Sequence, residues 1–261
     1  MEYKLKKENH DFWVERLKKN KERQVCTNDI AFDDVEDNEI LKRVKSNKSI
    51  LEIGCGNGVL YSKISEKLSN FSYLGTDFVK DLVDVCKKKS TSQEHNFIQQ
   101  DMTDINSSSF DKKYDFIISK RAIQNVLEEK LQIQTIENLG HFLKDDGLMI
   151  LVESSGNAQN NLNFEREKYN LHKIIPPFHN LFFDDDKIKS HVFENLKLIE
   201  ILPFASDFYY LTRIIYARYA KEFLNEKTSY SHPLEKIAIS MANNQHTNKF
   251  SQIQTYIFKK K

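Results

Sequence analysis

The chain has 261 residues, enough for one large domain with a sizeable core. Hydrophobic residues are 39%, aromatic 11% and charged 30%, which excludes wholesale disorder. Lys plus Arg is 39 against 38 for Asp plus Glu, a net charge of +1 that argues against a dedicated duplex-binding protein. Cys26, Cys55 and Cys86 form no CxxC pair and no zinc spacing, so neither a disulfide framework nor structural zinc is expected. A reduced, cytoplasmic setting fits them. The N-terminal stretch lacks the apolar run of a signal peptide, and no run reaches the roughly 18 apolar residues of a membrane helix.

Residues 1–46 are charged and mostly helical in character, with Phe12, Trp13 and Leu17 on a short apolar face. Ser49 to Ile53 reads as a strand. Gly54, Gly56 and Gly58 follow within five residues, although the chain has only 7 glycines, so the backbone turns tightly or meets a ligand there. Leu60, Ile64 and Leu68 then recur at helical spacing. Phe71 to Thr76 is a second strand ending in Asp77, and Leu82, Val83 and Val85 suggest the next helix. Asn96 to Gln100 is a third strand ending in Asp101, and Tyr114 to Ser119 a fourth. Leu131 to Leu143 is helical, Gly147 marks a break, and Leu148 to Val152 is a fifth, wholly apolar strand. Apolar strands alternating with helices predict a parallel sheet covered on both faces.

The rhythm then breaks. An Asn-rich insertion covers 154–183. A helix starts near Asp184, and Leu196 to Leu202 is a strand. A second insertion covers 203–248, with Leu211, Ile214, Ile215 and Tyr219 predicted as one apolar face. Ile253 to Phe258 closes the chain as an alternating strand. Long insertions in a compact domain are usually lids or binding loops.

The segment LEIGCGNG, residues 51–58, carries a strand into a glycine turn that opens a helix, where negative charge is welcome. Asp77 and Asp101 end the next two strands. The first suits a ribose diol, and the second an adenine amine with Met102 against the ring. Each aspartate alone is also an ordinary helix cap. A nicotinamide dinucleotide site is the alternative, but its GxGxxG spacing is replaced here by GxGxG.

With these residues in place, the sequence resembles the class I S-adenosylmethionine-dependent methyltransferases. LEIGCGNG is similar to that family's first motif, GTD with Asp77 to its second, and QQDM with Asp101 to its third. YDFIISKRAIQNV resembles its fourth-strand motif, and NLGHFLKDDGLMILVE the stretch into strand five. The resemblance covers residues 49–153 and the two closing strands. It implies a doubly wound, Rossmann-like α/β sheet of seven mostly parallel strands with an antiparallel last strand. It divides the chain into a helical cover over 1–46 and a methyltransferase domain over 47–261, with cap insertions at about 154–183 and 203–248. It implies S-adenosylmethionine as cofactor, with Glu52 at its methionine amino group, Gly54 and Gly56 under its methionine and ribose, Asp77 at the ribose, Asp101 and Met102 flanking the adenine, and Cys55 and Phe78 also among the cofactor-binding residues. Ser119 and Lys120 would lie near the sulfonium. Arg121 would turn to the cofactor carboxylate or an acidic substrate, unless it is a surface ion pair. Trp13 would cover the cofactor or pack in the core.

Methyl transfer from a sulfonium needs alignment and exclusion of water, and an oxygen nucleophile also needs its proton removed by a base. Glu153, His172, His179 and Tyr169 are the catalytic candidates. Arg166, Lys173, Tyr209, Arg213 and Tyr216 are the acceptor-binding candidates, against the plainer reading of solvated or packing residues. The acids 184–186 read as a helix cap, so no metal is expected. The Asn/Asp-Pro-Pro-aromatic motif of adenine and glutamine methylation is absent after strand four, and no Pro-Cys occurs. With balanced charge, a small polar acceptor is expected, methylated on oxygen rather than nitrogen; the cationic, tyrosine-rich insertions point to an anionic one. The resemblance to bacterial methyltransferases implies a phosphorylated, nucleotide-linked or sugar-linked acceptor, as in capsule-precursor modification. No DNA or membrane partner is expected, and a homo-oligomer is compatible. A non-catalytic cofactor-binding protein and an RNA methyltransferase are the alternatives.

Overall fold

The continuous apolar runs become the inner strands of one seven-stranded sheet. The structure, a computed structural model, describes residues 2–90, 92–230, 232–242 and 248–261. Residue 1 of the expected cover and residues 231 and 243–247 of the second insertion lie outside the described residues. The strands are β1 (Ser49–Ile53), β2 (Ser72–Asp77), β3 (His95–Gln99), β4 (Tyr114–Lys120), β5 (Leu143–Ser154), β6 (Leu196–Pro203) and β7 (Ile253–Lys260). Their order is β3-β2-β1-β4-β5-β7-β6, and only β7 runs antiparallel to its neighbours. The order reverses direction beside β1 and β4, and ligands of open α/β sheets bind outside the strand ends at such a point.

The helices are α1 (Glu2–Lys19), α2 (Ile30–Leu41), α3 (Val59–Lys67), α4 (Lys80–Lys89), α5 (Glu129–Gly140), α6 (Gly156–Lys168), α7 (Asp185–Ser190), α8 (Ser206–Tyr210), α9 (Tyr216–Tyr219) and α10 (Pro233–Ser240). Alternate strand residues face opposite layers. Ile50, Phe116, Ile118 and Ile150 pack with α2 and α3, while Leu51, Ile117, Met149 and Leu151 pack with α5 and Phe183. Each such burial contributes about 1.5–3 kcal/mol. Among the described residues, no helix is long and apolar enough to cross a membrane.

Two local expectations are corrected. Gly147 does not separate helix from strand: Leu143 already pairs with Tyr114, and Gly147 lies inside β5. The register shifts before Leu148 pairs with Phe116, and a side chain on Gly147 would begin 2.8 Å from Leu143 and 2.9 Å from the Lys144 carbonyl. The glycine permits an irregularity in the strand rather than ending a helix. In the second insertion, Ile215 and Tyr219 are exposed, while Thr212, Ile214, Tyr216 and Ala220 are buried. Two π-helical turns, Leu211–Ile215 and Ala220–Leu224, shift the phase of that helical run, so a simple 3.6-residue periodicity points to the wrong face. Asp184 does cap α7, accepting from the amides of Asp186 and Lys187.

Candidate active site

A cleft of about 490 Å³ opens at the carboxyl ends of β1, β2 and β4. This is within the range of small-ligand sites. Its floor is the glycine loop. Gly54, Gly56 and Gly58 have φ of +68°, +54° and +75°, a region that side chains rarely adopt. A side chain on Gly54 would begin 2.2 Å from Ala122 Cβ, and one on Gly56 2.7 Å from Cys26 Sγ. The Gly56 amide donates to Asp77 Oδ2 at 2.9 Å, and the Val79 amide to Oδ1 at 2.9 Å. With both oxygens tied to backbone amides, Asp77 is fixed in the cleft lining. Burial pushes this carboxyl up to about 6, against the amides that favour its charge. Glu52 accepts from the Tyr73 hydroxyl, and burial raises its carboxyl to about 7. Cys55, Phe78 and Met102 also line the cleft.

Asp101 does not line it. This aspartate caps the turn Met102–Asp104 and meets Lys6 of α1 at 2.5 Å. Partial burial opposes its charge, but Lys6 and Thr103 outweigh burial and hold the carboxyl below its ordinary value. Ser119, expected near the sulfonium, is fully buried and donates to Glu153 Oε1 at 2.7 Å. Glu153, expected as a base, is spent in the same way. It accepts from the amides of Ala122 (3.2 Å), Ile123 (3.0 Å) and Gln124 (3.2 Å), fastening the turn after β4. Burial raises this carboxyl to about 7 despite those four donors.

Lys120 and Arg121 face the cleft but turn to α2. Lys120 Nζ meets Asp33 at 2.7 Å and also bonds Asp37. Burial works against its charge, and Asp37, Asp33 and Glu36 outweigh burial and raise its pKa. Arg121 meets Glu36 at 3.1 Å and Asp33 at 3.3 Å. Neither Glu36 oxygen has hydrogen-bond geometry, so that contact is an ion pair alone. Arg121 also sits at φ 52°, a strained backbone for a bulky residue. It is not a surface ion pair: it lines the cleft with its charge matched by the buried acids of α2.

Helix α1 forms the outer wall. Trp13 Nε1 donates to Asn125 Oδ1 at 2.8 Å, and Asn9 Nδ2 to the Asn125 carbonyl at 2.9 Å. His179 stacks on Phe12 with centroids 4.1 Å apart, and burial with the nearby Arg16 lowers its pKa to about 4. It is a neutral imidazole whose buried Nδ1 has no hydrogen-bond partner among the described residues. Arg16 lines the cleft as well, bonding the Val25 carbonyl and Asn28 Oδ1 at 2.9 and 3.0 Å.

On the far side, Tyr209 and Arg213 reach the cleft. Arg213 lies in the first π-helical turn, 2.9 Å from Glu235 and 3.2 Å from Asp29, with its guanidinium 5.3 Å from the Tyr230 ring centre. The other candidates of the insertions lie elsewhere. Arg166 Nε donates to the His172 carbonyl at 2.8 Å and its guanidinium also bonds the Arg213 carbonyl, so it braces two segments. Tyr216 is buried, its hydroxyl accepting from the Ser229 amide at 3.0 Å. Lys173 is exposed and pairs with Glu167, and His172 and Tyr169 are exposed outside the cleft lining. Helical and loop context hid these outcomes, because each residue type is equally at home as a brace.

Sequence reasoning missed Arg16, Cys26, Asp29 and the acids of α2. A run with four acids, AFDDVED, reads as a solvated face, yet Asp33, Glu36 and Asp37 are buried at 3%, 0% and 0% exposure. The cations Lys120 and Arg121, at the end of strand four, were the only hint. Among the described residues, no group of three His, Cys, Asp or Glu side chains is arranged to hold a metal ion.

The family described as "Methyltransferase domain" matches residues 44–201. The chain belongs to this family, the class I S-adenosylmethionine-dependent methyltransferases. It is 36% identical over 103 residues to a malonyl-[acyl-carrier protein] O-methyltransferase of Ilyobacter polytropus, covering 39% of this chain and 38% of that protein. It is 30% identical over 111 residues to the enzyme of that name from Bacillus anthracis, covering 42% and 39%. The chain thus matches well under half the length of these relatives. Among solved structures, it superposes with TM-score 0.62 and 15% identity on a Haemonchus contortus phosphoethanolamine N-methyltransferase, over 100% of this chain and 50% of that one. A Haloferax volcanii putative methyltransferase, solved with its Trm112 activator, gives 0.58 and 15% over 88% and 92%. At these identities the structures speak for the fold alone, a seven-stranded methyltransferase sheet whose final strands are antiparallel.

Proposed function

We propose that this protein transfers the methyl group of S-adenosylmethionine to an oxygen of a small anionic acceptor held between α2 and the second insertion. The glycine loop supports the donor assignment: side chains at Gly54 and Gly56 would run into Ala122 and Cys26, so bare backbone packs closely there and itself lines the floor of the cleft. Glu52 would hold the donor's amino group, Asp77 its ribose hydroxyls, and Phe78 and Met102 its adenine. The bound donor supplies a methyl already activated on a sulfonium. This chain's own part is to orient the acceptor and exclude water.

The observation that carries the acceptor reading is the protonation chemistry around the cleft. Glu153 is consumed by the turn after β4, and His179 is a base too weak to remove a proton readily at neutral pH. An acceptor oxygen that is already an anion needs no base. Arg213, with Tyr209 beside it and Arg16 opposite, would receive such a group. The printed names of the Ilyobacter and Bacillus relatives, both O-methyltransferases, favour oxygen over nitrogen. Residues 2–46 would serve as a cover and the two insertions as a cap.

The test is calorimetric titration with S-adenosylhomocysteine, with NAD as control, followed by a turnover screen of carboxylate and phosphate acceptors. One-to-one binding of S-adenosylhomocysteine alone, then a methyl gain on an acidic acceptor at a rate that, with donor saturating, does not rise from pH 7 to 8, is expected. Binding of NAD instead would sink the donor assignment. Turnover confined to amines would sink the anionic acceptor.

A further inference from the structure

The three cysteines stand far apart in the chain but meet at the glycine loop. Cys55 Sγ lies 4.0 Å from Cys86 Sγ, and both thiols are free. The Cys86 thiol, in the last turns of α4, donates to the Gly56 carbonyl at 3.2 Å. Cys26 faces the loop from the cover side, its thiol donating to Asn57 Oδ1 at 3.6 Å. Cys86 is wholly buried, whereas Cys55 reaches the cleft wall.

We propose that Cys55 and Cys86 form a redox modification site: an oxidant of the peroxide class, entering through the cleft, joins them in a disulfide that draws the glycine loop out of its ligand-holding shape. The proposal rests on the donor assignment of that loop. One cysteine gives up its proton and, as thiolate, attacks an oxygen of hydrogen peroxide; the O–O bond breaks, a sulfenic acid forms, and the departing hydroxide takes up that proton and leaves as water. The second thiol attacks that sulfur, its proton leaves with the departing hydroxide as a second water, and the S–S bond closes. Two thiols are oxidised to one disulfide and one peroxide is reduced to two waters.

Geometry decides which part moves. A disulfide bond is about 2.05 Å long, so the sulfurs must close by roughly 2 Å. Cys86 is held in the core beside Val83 and Tyr61, while the loop carries three glycines in left-handed geometry. The loop therefore gives way, and the Gly56 carbonyl loses its thiol donor. The contact with Cys86 and burial both raise the Cys55 thiol, which keeps it from reacting readily. A ligand seated in the cleft would protect it further.

The test treats the purified protein with hydrogen peroxide, with and without S-adenosylhomocysteine. Linked peptides are mapped without reduction, and ligand affinity is titrated before and after. A peptide joining Cys55 to Cys86, an affinity loss of at least about tenfold that dithiothreitol reverses, and slower linkage with ligand bound are expected. Cys86→Ser keeps a donor to Gly56, and should bind like the reduced protein and lose its sensitivity to peroxide. No such linked peptide, linkage through Cys26 instead, linkage without loss of affinity, or no protection by ligand would overturn the proposal. Failure of the reduced protein to bind S-adenosylhomocysteine would overturn the donor assignment, while the peptide map would still report on the disulfide.

Discussion

The glycine loop and helix α2 face the same cleft, but they hold their polar groups by different means. The loop works through backbone: positive φ at Gly54, Gly56 and Gly58, and amides of Gly56 and Val79 aimed at Asp77. Its parts are close in sequence, and its shape tolerates no added Cβ. The α2 side works through side chains drawn from distant segments, with Asp33, Glu36 and Asp37 matched to Lys120, Arg121 and Lys63. Buried charges of that kind are costly unless paired, so this wall holds only while every partner is in place. A binding site for a constant ligand can be built the first way. A site for a variable ligand is more readily altered when it is built the second way, one side chain at a time.

The largest expected effect tests the backbone side. In Gly54→Ala, the overlap with Ala122 and the left-handed φ should abolish S-adenosylhomocysteine binding and lower stability by about 3 kcal/mol. Ligand binding retained in a folded variant would break the comparison. Asp77→Asn keeps the size but loses the charge; calorimetry should show about 100-fold weaker binding. Unchanged affinity would remove Asp77 from the ribose. On the side-chain wall, Arg213→Met should raise the acceptor KM about tenfold while cofactor affinity holds. The reverse pattern would place Arg213 on the donor's side of the cleft.

Glu153→Gln bears on pH. The Glu153 carboxyl titrates near 4.5 when unfolded and about 7 when folded. Between those values the native state binds more protons, so stability falls as pH rises through the window and levels off above it. Glu52 contributes with the same sign. Denaturant unfolding across pH 4.5 to 8 should give a shallower fall for the variant, and an unaltered slope would show that Glu153 does not carry the dependence. The smallest effect is expected for Trp13→Phe, which loses the bond to Asn125 and part of the ring packing on Phe12 and His179. Unfolding should show a loss of about 1 kcal/mol, with ligand release somewhat faster. No change in either would mean that the Trp13–Asn125 bond does not help to hold α1.

The cofactor half was legible because its residues act where they stand. LEIGCGNG announces a strand, a turn and a helix start, and the turn's φ values follow from glycine itself. Asp101 shows where this reading runs out: its place at a strand end was right, but Lys6, nearly a hundred residues earlier, claims its carboxylate. Glu153 and Ser119 were misplaced for the same reason, since a side chain at a strand end can point to solvent or fold back under the next turn. Burial of the α2 acids was invisible because it depends on Lys120 and Arg121, about 85 residues away.

What the sequence by itself determined is the alternation of apolar strands and helices, the glycine loop and the acids at the ends of β2 and β3. Hydrophobic periodicity and glycine's conformational freedom are local properties, readable over a few residues. Only the tertiary structure decided which charges meet: that Arg121 answers Glu36, that Arg213 answers Asp29 and Glu235, and that three separated cysteines gather at one loop. Charge pairing and thiol proximity depend on distance in space, and the fold alone sets that distance.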